Sequence, residues 1–249
     1  MRIAVVSDIH GNRTALEAVL ADLRETAPDL VFHGGDLAHG GSSPAETVDR
    51  IRDLGWPGVV GNTDEMLYNP QSLTDFAGQS PHLQALWTAI DEMAAFERST
   101  LGDDRLNWLR QLPPIQIDGP MALVHASPQS LWRSPGPEAS DAELATAYAP
   151  LGRPIAVYGH IHRSFVRTVP ATGIESTSLP ELVVVNTGSV SLSYDGDRRA
   201  AYLLLDDAKP TIRRVAYDLS AELKALASCG LPHASWIART LESASPKMP

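Results

Sequence analysis

Short apolar runs, each ending in a turn residue, recur along the first part of the chain. Ile3-Ala4-Val5-Val6 leads into Ser7-Asp8-Ile9-His10-Gly11, Leu30-Val31-Phe32-His33 into Gly34-Gly35-Asp36, and Gly58-Val59-Val60 into Gly61-Asn62-Thr63-Asp64. Apolar runs of this length, bounded by glycine, read as buried parallel strands. Between them the apolar positions switch to helical spacing. Leu16, Val19, Leu20 and Leu23 share one face, and Thr14 with Glu17 predicts a capping box for that helix. Ser43-Pro44-Ala45-Glu46 opens a second helix, which runs to Leu54 and stops at Gly55. Three strand–turn–helix units favour a parallel sheet, with sites beyond the carboxyl ends of its strands.

The pattern changes over residues 66–112. Leu83, Leu86, Trp87 and Ile90 fit one helical face, and Leu106, Trp108 and Leu109 fit another more loosely. This stretch predicts a helical insert over the sheet, with Trp87 and Trp108 packing rather than holding a ligand. Pro113-Pro114 ends it. Strands then return: Met121–Val124 leads into His125, Ile155–Tyr158 into Gly159-His160-Ile161-His162, and Leu182–Val185 into Asn186-Thr187-Gly188-Ser189. A Pro/Ser/Gly-rich loop covers 127–140. Tyr194-Asp195-Gly196-Asp197 predicts a hairpin turn, with 200–205 and 211–217 as antiparallel strands after it. A last helix starts near Ser220, and the tail after Ser243 reads as frayed. No repeat or linker divides the 249 residues, which read as a single domain, 1–249.

Composition narrows the class of function. Thirty Asp and Glu against 20 Lys and Arg give a formal net charge of −10, which argues against a nucleic-acid backbone as partner. A small anionic substrate stays possible, because a local metal site outweighs the global field. The single cysteine, Cys229, has no partner for an internal disulfide. No apolar run is long enough to predict a membrane span, and the chain starts on a strand rather than a basic flank and apolar core. The expectation is a cytoplasmic protein. Its oligomeric state is not legible.

Asp8, His10, Asp36, Asn62, His125, His160 and His162 each follow a short apolar run, most beside a glycine. One His at a strand end is ordinary. Five strand ends that all offer Asp, Asn or His are hard to explain as packing. Imidazole with carboxylate suits manganese, iron, zinc or nickel, and the two oxygens of Asp36 allow it to bridge two ions. The ordered blocks Asp-x-His, Gly-Asp, Gly-Asn-x-Asp, His and Gly-His-x-His, over residues 8–162, resemble the calcineurin-like metallophosphoesterase family. The flanking Asp-Ile-His-Gly-Asn and Asn-Thr-Gly-Ser-Val are similar to its small prokaryotic phosphodiesterase branch.

The resemblance implies a four-layer α/β/β/α sandwich with two facing mixed β-sheets. It implies that Asp8, His10, Asp36 and His162 hold one divalent transition-metal ion. Asp36 would bridge to a second ion held by Asn62, His125 and His160, with manganese favoured for activity. Asp36, Asn62 and His125 would be central to catalysis. The implied reaction is hydrolysis of a small phosphodiester or nucleotide-like substrate by a metal-bridging hydroxide. Many members carry His where Thr63 stands, to assist the leaving group, with Asp64 orienting it. Thr63 is no acid near neutral pH, which argues against a phosphomonoesterase or protein phosphatase. A non-catalytic interaction scaffold on the same fold is the remaining alternative, disfavoured because all seven ligand positions are filled. Candidates for substrate contact are Asn12, His39, Thr63 and Arg163, with Arg133 another possible phosphate contact. His33 reads as structural, and His82 and His233 as ordinary helix or loop residues.

Overall fold

Along β1 (Arg2–Val6) successive side chains face opposite sides. Ile3 and Val5 enter one cluster of buried residues and Ala4 and Val6 another. That alternation sets the layering of the molecule. A computed structural model describes residues 1–170 and 181–249. In the first sheet β1 pairs in parallel with β2 (Leu30–His33) and antiparallel with β8 (Ala200–Asp206), which carries β9 (Lys209–Val215) at its outer edge. The second sheet holds β3 (Ile115–Asp118), β4 (Met121–Val124), β5 (Ile155–Tyr158), β6 (Phe165–Pro170) and β7 (Glu181–Asn186). Its order is β3-β4-β5-β7-β6. β4, β5 and β7 run parallel, with antiparallel β3 and β6 at the edges.

The sheets face each other through Ile3, Val5 and Phe32 on one side and Met121, Leu123, Ile155 and Val157 on the other. Ala4 and Val6 look outward onto Leu16, Val19 and Leu20 of α1 (Arg13–Thr26) and Val48 and Ile51 of α2 (Pro44–Leu54). Behind the second sheet, Val124, Ala156 and Val184 pack on Leu144 and Tyr148 of α6 (Asp141–Tyr148). The result is the expected α/β/β/α sandwich with two mixed sheets. Residues 62–110 form α3 (Asn62–Tyr68), α4 (Pro70–Ala77) and α5 (Gln84–Arg110), the last broken at Gly102, where φ is 69°. Two more helices, α7 (Leu219–Ser228) and α8 (Ala234–Ser243), bury Leu226, Ile237 and Leu241 against Met93 of α5. No described helix is long and apolar enough to cross a membrane.

The structure corrects several sequence expectations. Gly58–Val60 is not a strand. Gly58 makes one isolated parallel bridge to His33, after which the Val60 N–H turns away to the Pro113 carbonyl and the ladder stops. Asn12, not Thr14, caps α1: its Oδ1 accepts from Ala15 N–H at 2.9 Å, while Thr14 donates to Glu222 at 2.8 Å. Tyr194–Asp197 is no hairpin turn, because β7 and β8 lie in different sheets. The hairpin turn lies at Asp207-Ala208, where φ is 47° and 65°, a primed turn without its usual glycine. The tail beyond Ser243 folds back on α8: Trp236 Nε1 donates to the Lys247 carbonyl at 2.8 Å. Strands β3 and β6 and helix α6 carry no pattern that announced them.

Candidate metal centre

The loops that leave β1, β2 and β5 carry Asp8 and His10, Asp36, and His160 and His162. All five have positive φ, between 50° and 67°. They are five of the ten described non-glycine residues in that region. A left-handed backbone at a residue with a Cβ costs on the order of 1 kcal/mol or more, and persists only where its surroundings dictate it. Five of them, on loops from both sheets that meet at one place, are a local concentration of strain. Neighbouring backbone holds it: His10 N–H donates to the Asp36 carbonyl at 2.9 Å and Asp8 N–H to the Gly35 carbonyl at 3.0 Å. Gly61 and Gly159 are necessary here, since a Cβ on either would fall on the carboxylate of Asp36 or Asp8.

These loops bring all seven candidate ligands together, in two groups that meet at Asp36. In the first, one donor atom each from Asp8, His10, Asp36 and His162 lies within 4.8 Å of the others. His10 and His162 each tie Nδ1 to a backbone carbonyl, of His39 and Leu192, at 2.6 Å. That fixes Nδ1 as the protonated nitrogen and turns both Nε2 lone pairs to the centre. The two Nε2 atoms stand 3.1 Å apart. In the second group the Asn62 side-chain oxygen lies 2.9 Å from both His125 Nε2 and His160 Nδ1. Asp36 divides its oxygens: Oδ2 lies 3.7 Å from His10 Nε2 and Oδ1 3.4 Å from His125 Nε2. Carboxylate, amide oxygen and imidazole form a donor set that fits divalent transition metals.

The electrostatics of the centre are set by burial and by carboxylates facing imidazoles. Burial would raise the carboxyls of Asp8 and Asp36, but the facing imidazoles outweigh it and hold both below the usual range. Burial lowers His10 and His160 to about 4, with a neighbouring imidazole adding to the effect in each. For His125 burial acts downward too, yet Asp36 overrides it and pushes the ring up to about 9. Buried carboxylates facing imidazoles on both sides form a site whose charge favours bound cations.

The substrate-contact candidates fare unequally. His39 and Thr63 line the cavity that opens on this centre. His39 sits on the loop after Asp36. It is buried, and its Nδ1 lies 2.6 Å from Glu97 Oε2, so that Glu97 raises its pKa against the effect of burial. Thr63 donates its backbone N–H to Asp36 Oδ1 at 2.9 Å and leaves its buried hydroxyl without a partner. Asn12 is spent as the α1 cap and on Ser191, and does not line the cavity. Arg163 is exposed and donates to the Tyr194 carbonyl at 3.2 Å, and Arg133 lies over Phe76. Asp64 does not aim at position 63. Its oxygens accept the backbone N–H groups of Asp36, Leu37 and Gly61 at 2.8, 2.9 and 3.1 Å.

Sequence reasoning missed Glu97, which is fully buried on α5 and also accepts from Gly40 N–H at 2.7 Å. Its signal was available: Ile90, Ala94, Glu97 and Leu101 follow helical spacing, with one carboxylate in an apolar stripe. It also missed Tyr194, stacked on His162 with ring centroids 4.6 Å apart, and Ser189, whose hydroxyl holds the Asp8 carbonyl at 2.9 Å. Trp87 packs edge-on against Phe76 as expected, yet it also lines the cavity.

Comparison with known proteins follows the same lines. The calcineurin-like phosphoesterase superfamily domain matches residues 1–209. An uncharacterized protein of Methanocaldococcus jannaschii is 31% identical over 252 residues, covering 96% of each chain. A symmetrical bis(5'-nucleosyl)-tetraphosphatase of Sodalis glossinidius is 31% identical over 137 residues, 53% of this chain and 45% of that one. The crystal structure of a metallophosphoesterase from Sphaerobacter thermophilus aligns with a TM-score of 0.76 at 24% identity, covering 98% of this chain and 99% of the other. The fold is therefore shared over nearly the whole length, whereas the tetraphosphatase likeness spans about half of either protein.

Proposed function

The chain belongs to the calcineurin-like phosphoesterase superfamily, and from that premise we propose that it is a dinuclear metal-dependent hydrolase of small phosphodiester or nucleotide-like substrates. The observation that carries this reading is Asp36, whose two carboxylate oxygens face the two imidazole groups separately. Asp8, His10 and His162 would complete one ion's donors, and Asn62, His125 and His160 the other's. Two divalent ions, manganese favoured, supply positive charge for an anionic ester and lower the pKa of bound water into the neutral range.

The protein's own groups do the rest. The carbonyls of His39 and Leu192 hold His10 and His162 in the tautomer that presents Nε2. Asp64 and the Thr63 N–H fix the loop and the carboxylate of Asp36. Thr63 supplies no acid near neutral pH, which favours phosphodiesters with good leaving groups over unactivated phosphomonoesters. The nucleotide-like substrate rests on the relatives named as tetraphosphatases.

Asp36→Asn tests the bridge. It should lower metal content from two ions per chain, and cut manganese-dependent hydrolysis of bis(p-nitrophenyl) phosphate by about 100-fold or more, with the fold kept. Full activity with two bound ions would end the assignment of Asp36 as the bridge. Comparison of bis(p-nitrophenyl) phosphate with p-nitrophenyl phosphate separates diesterase from monoesterase, and no metal-dependent turnover of either would favour a scaffold.

A further inference from the structure

The cavity that opens on the candidate metal centre has a polar floor and largely apolar walls. Its floor is His10, Asp36, Asn62, His160 and His162, all within the part of the chain that the superfamily match covers. Its walls carry five aromatic rings. Phe76 comes from α4, Trp87 from α5, Trp132 from the loop after β4, Tyr194 from the loop after β7 and Trp236 from α8. Phe76 stacks on Trp132 at 4.8 Å and meets Trp87 edge-on at 5.7 Å, so three of the rings form one surface. Trp236 belongs to α8, beyond residue 209, outside the superfamily match. Its indole N–H holds the Lys247 carbonyl at 2.8 Å, and Arg239 holds the Met248 carbonyl at 3.0 Å, which folds residues 246–248 along α8 as part of the same wall.

Positive charge is sparse in this wall. Lys247 is the one Lys or Arg among the described residues that line the cavity. Arg133, next to Trp132, is taken up by Gln79 and by the face of Phe76, 5.4 Å away. A polyphosphate chain carries charge on every phosphate and calls for a row of cationic groups. A flat apolar group calls only for area and aromatic faces. The cavity's volume of about 380 Å³ lies at the small end of ligand sites.

We propose that this cavity is an aromatic ester-group subsite: the substrate is a compact phosphoester carrying one flat aromatic group close to its phosphorus, seated against Trp87 and Trp236, and not a polyphosphate chain. The inference rests on the phosphoesterase reading above and narrows its substrate class. The superfamily part of the chain supplies the metal centre and four of the five rings, and α8 adds the fifth from beyond it.

Calorimetric titration of the manganese-loaded full chain with phenylphosphonate, methylphosphonate and imidodiphosphate, manganese in excess, tests this. None of the three is a cleavable ester, so the readout is affinity and not turnover. Phenylphosphonate should bind about tenfold tighter than methylphosphonate, and at least as tightly as imidodiphosphate. In Trp236→Leu and Trp87→Leu the preference for phenyl should shrink to within about threefold. Equal affinity for phenyl- and methylphosphonate, or tightest binding of imidodiphosphate, overturns the subsite. A preference undiminished in both variants overturns its assignment to these walls. The wild-type comparison decides the matter even if a variant fails to fold. Phenyl-selective binding without metal-dependent turnover of bis(p-nitrophenyl) phosphate would sink the hydrolase reading and keep the subsite.

Discussion

His33 is the residue whose chemistry is most at odds with its place. It is fully buried at the end of β2, with neither ring nitrogen partnered, lying over Gly58 and near the ring of Trp108. Burial lowers its pKa from 6.5 to about 4. The unfolded chain therefore takes up this proton first as the pH falls. Stability attributable to His33 is whole above pH 6.5 and drains away between 6.5 and 4, by about 3 kcal/mol in total. Urea melts of the metal-free protein and His33→Phe should show a gap in favour of the variant that widens by about 2–3 kcal/mol between pH 7 and pH 4.5. A gap independent of pH would mean that water reaches the ring. The structural role of His33 was legible from its place in an apolar run. That Asp64 serves backbone N–H groups instead of position 63 was not, because side-chain direction depends on where a neighbouring loop ends.

At the scale of elements, α5 is tied to the candidate centre through one side chain. Glu97 spans from this helix to His39 and Gly40, and the His39 carbonyl sets the tautomer of His10. Glu97→Leu leaves a buried N–H and an imidazole unpaired, which costs about 1–3 kcal/mol of stability each. It also frees the carbonyl that orients His10, so manganese affinity should drop about 10- to 100-fold, the usual effect of losing an outer partner of a ligand. Metal titration of Glu97→Leu and Glu97→Gln checks this. Affinity equal to wild type in both would make the contact one of packing alone. The helix itself was legible from its spacing, whereas Glu97, one carboxylate in its apolar stripe, was missed. Its target was not legible, since 58 residues separate Glu97 from His39.

At the scale of the whole molecule, the candidate ligands come from both sheets: Asp8, His10 and Asp36 leave the first, and His125, His160 and His162 the second. Ions bound there would cross-link the two layers and favour the folded state by mass action. Manganese at 1,000 times its dissociation constant should stabilise the chain by about 4 kcal/mol, or raise its melting temperature by roughly 8–16 °C. Differential scanning calorimetry with manganese and with chelator reads this. Asp36→Asn should abolish most of the shift, and an equal shift in both proteins would place the binding elsewhere. The sequence by itself determined which residues could serve as ligands and in what order strand ends deliver them, because a strand's apolar run and the glycine that ends it are local features. It also determined the alternation of β1 that makes two cores from one strand. Only the tertiary structure decided that Gly58–Val60 abandons its ladder for Pro113, that β7 and β8 part into different sheets, and that α8 walls the cavity with Trp236. Each of these turns on a partner far away in the chain, and a backbone N–H or an aromatic face carries no local mark of the partner it will meet.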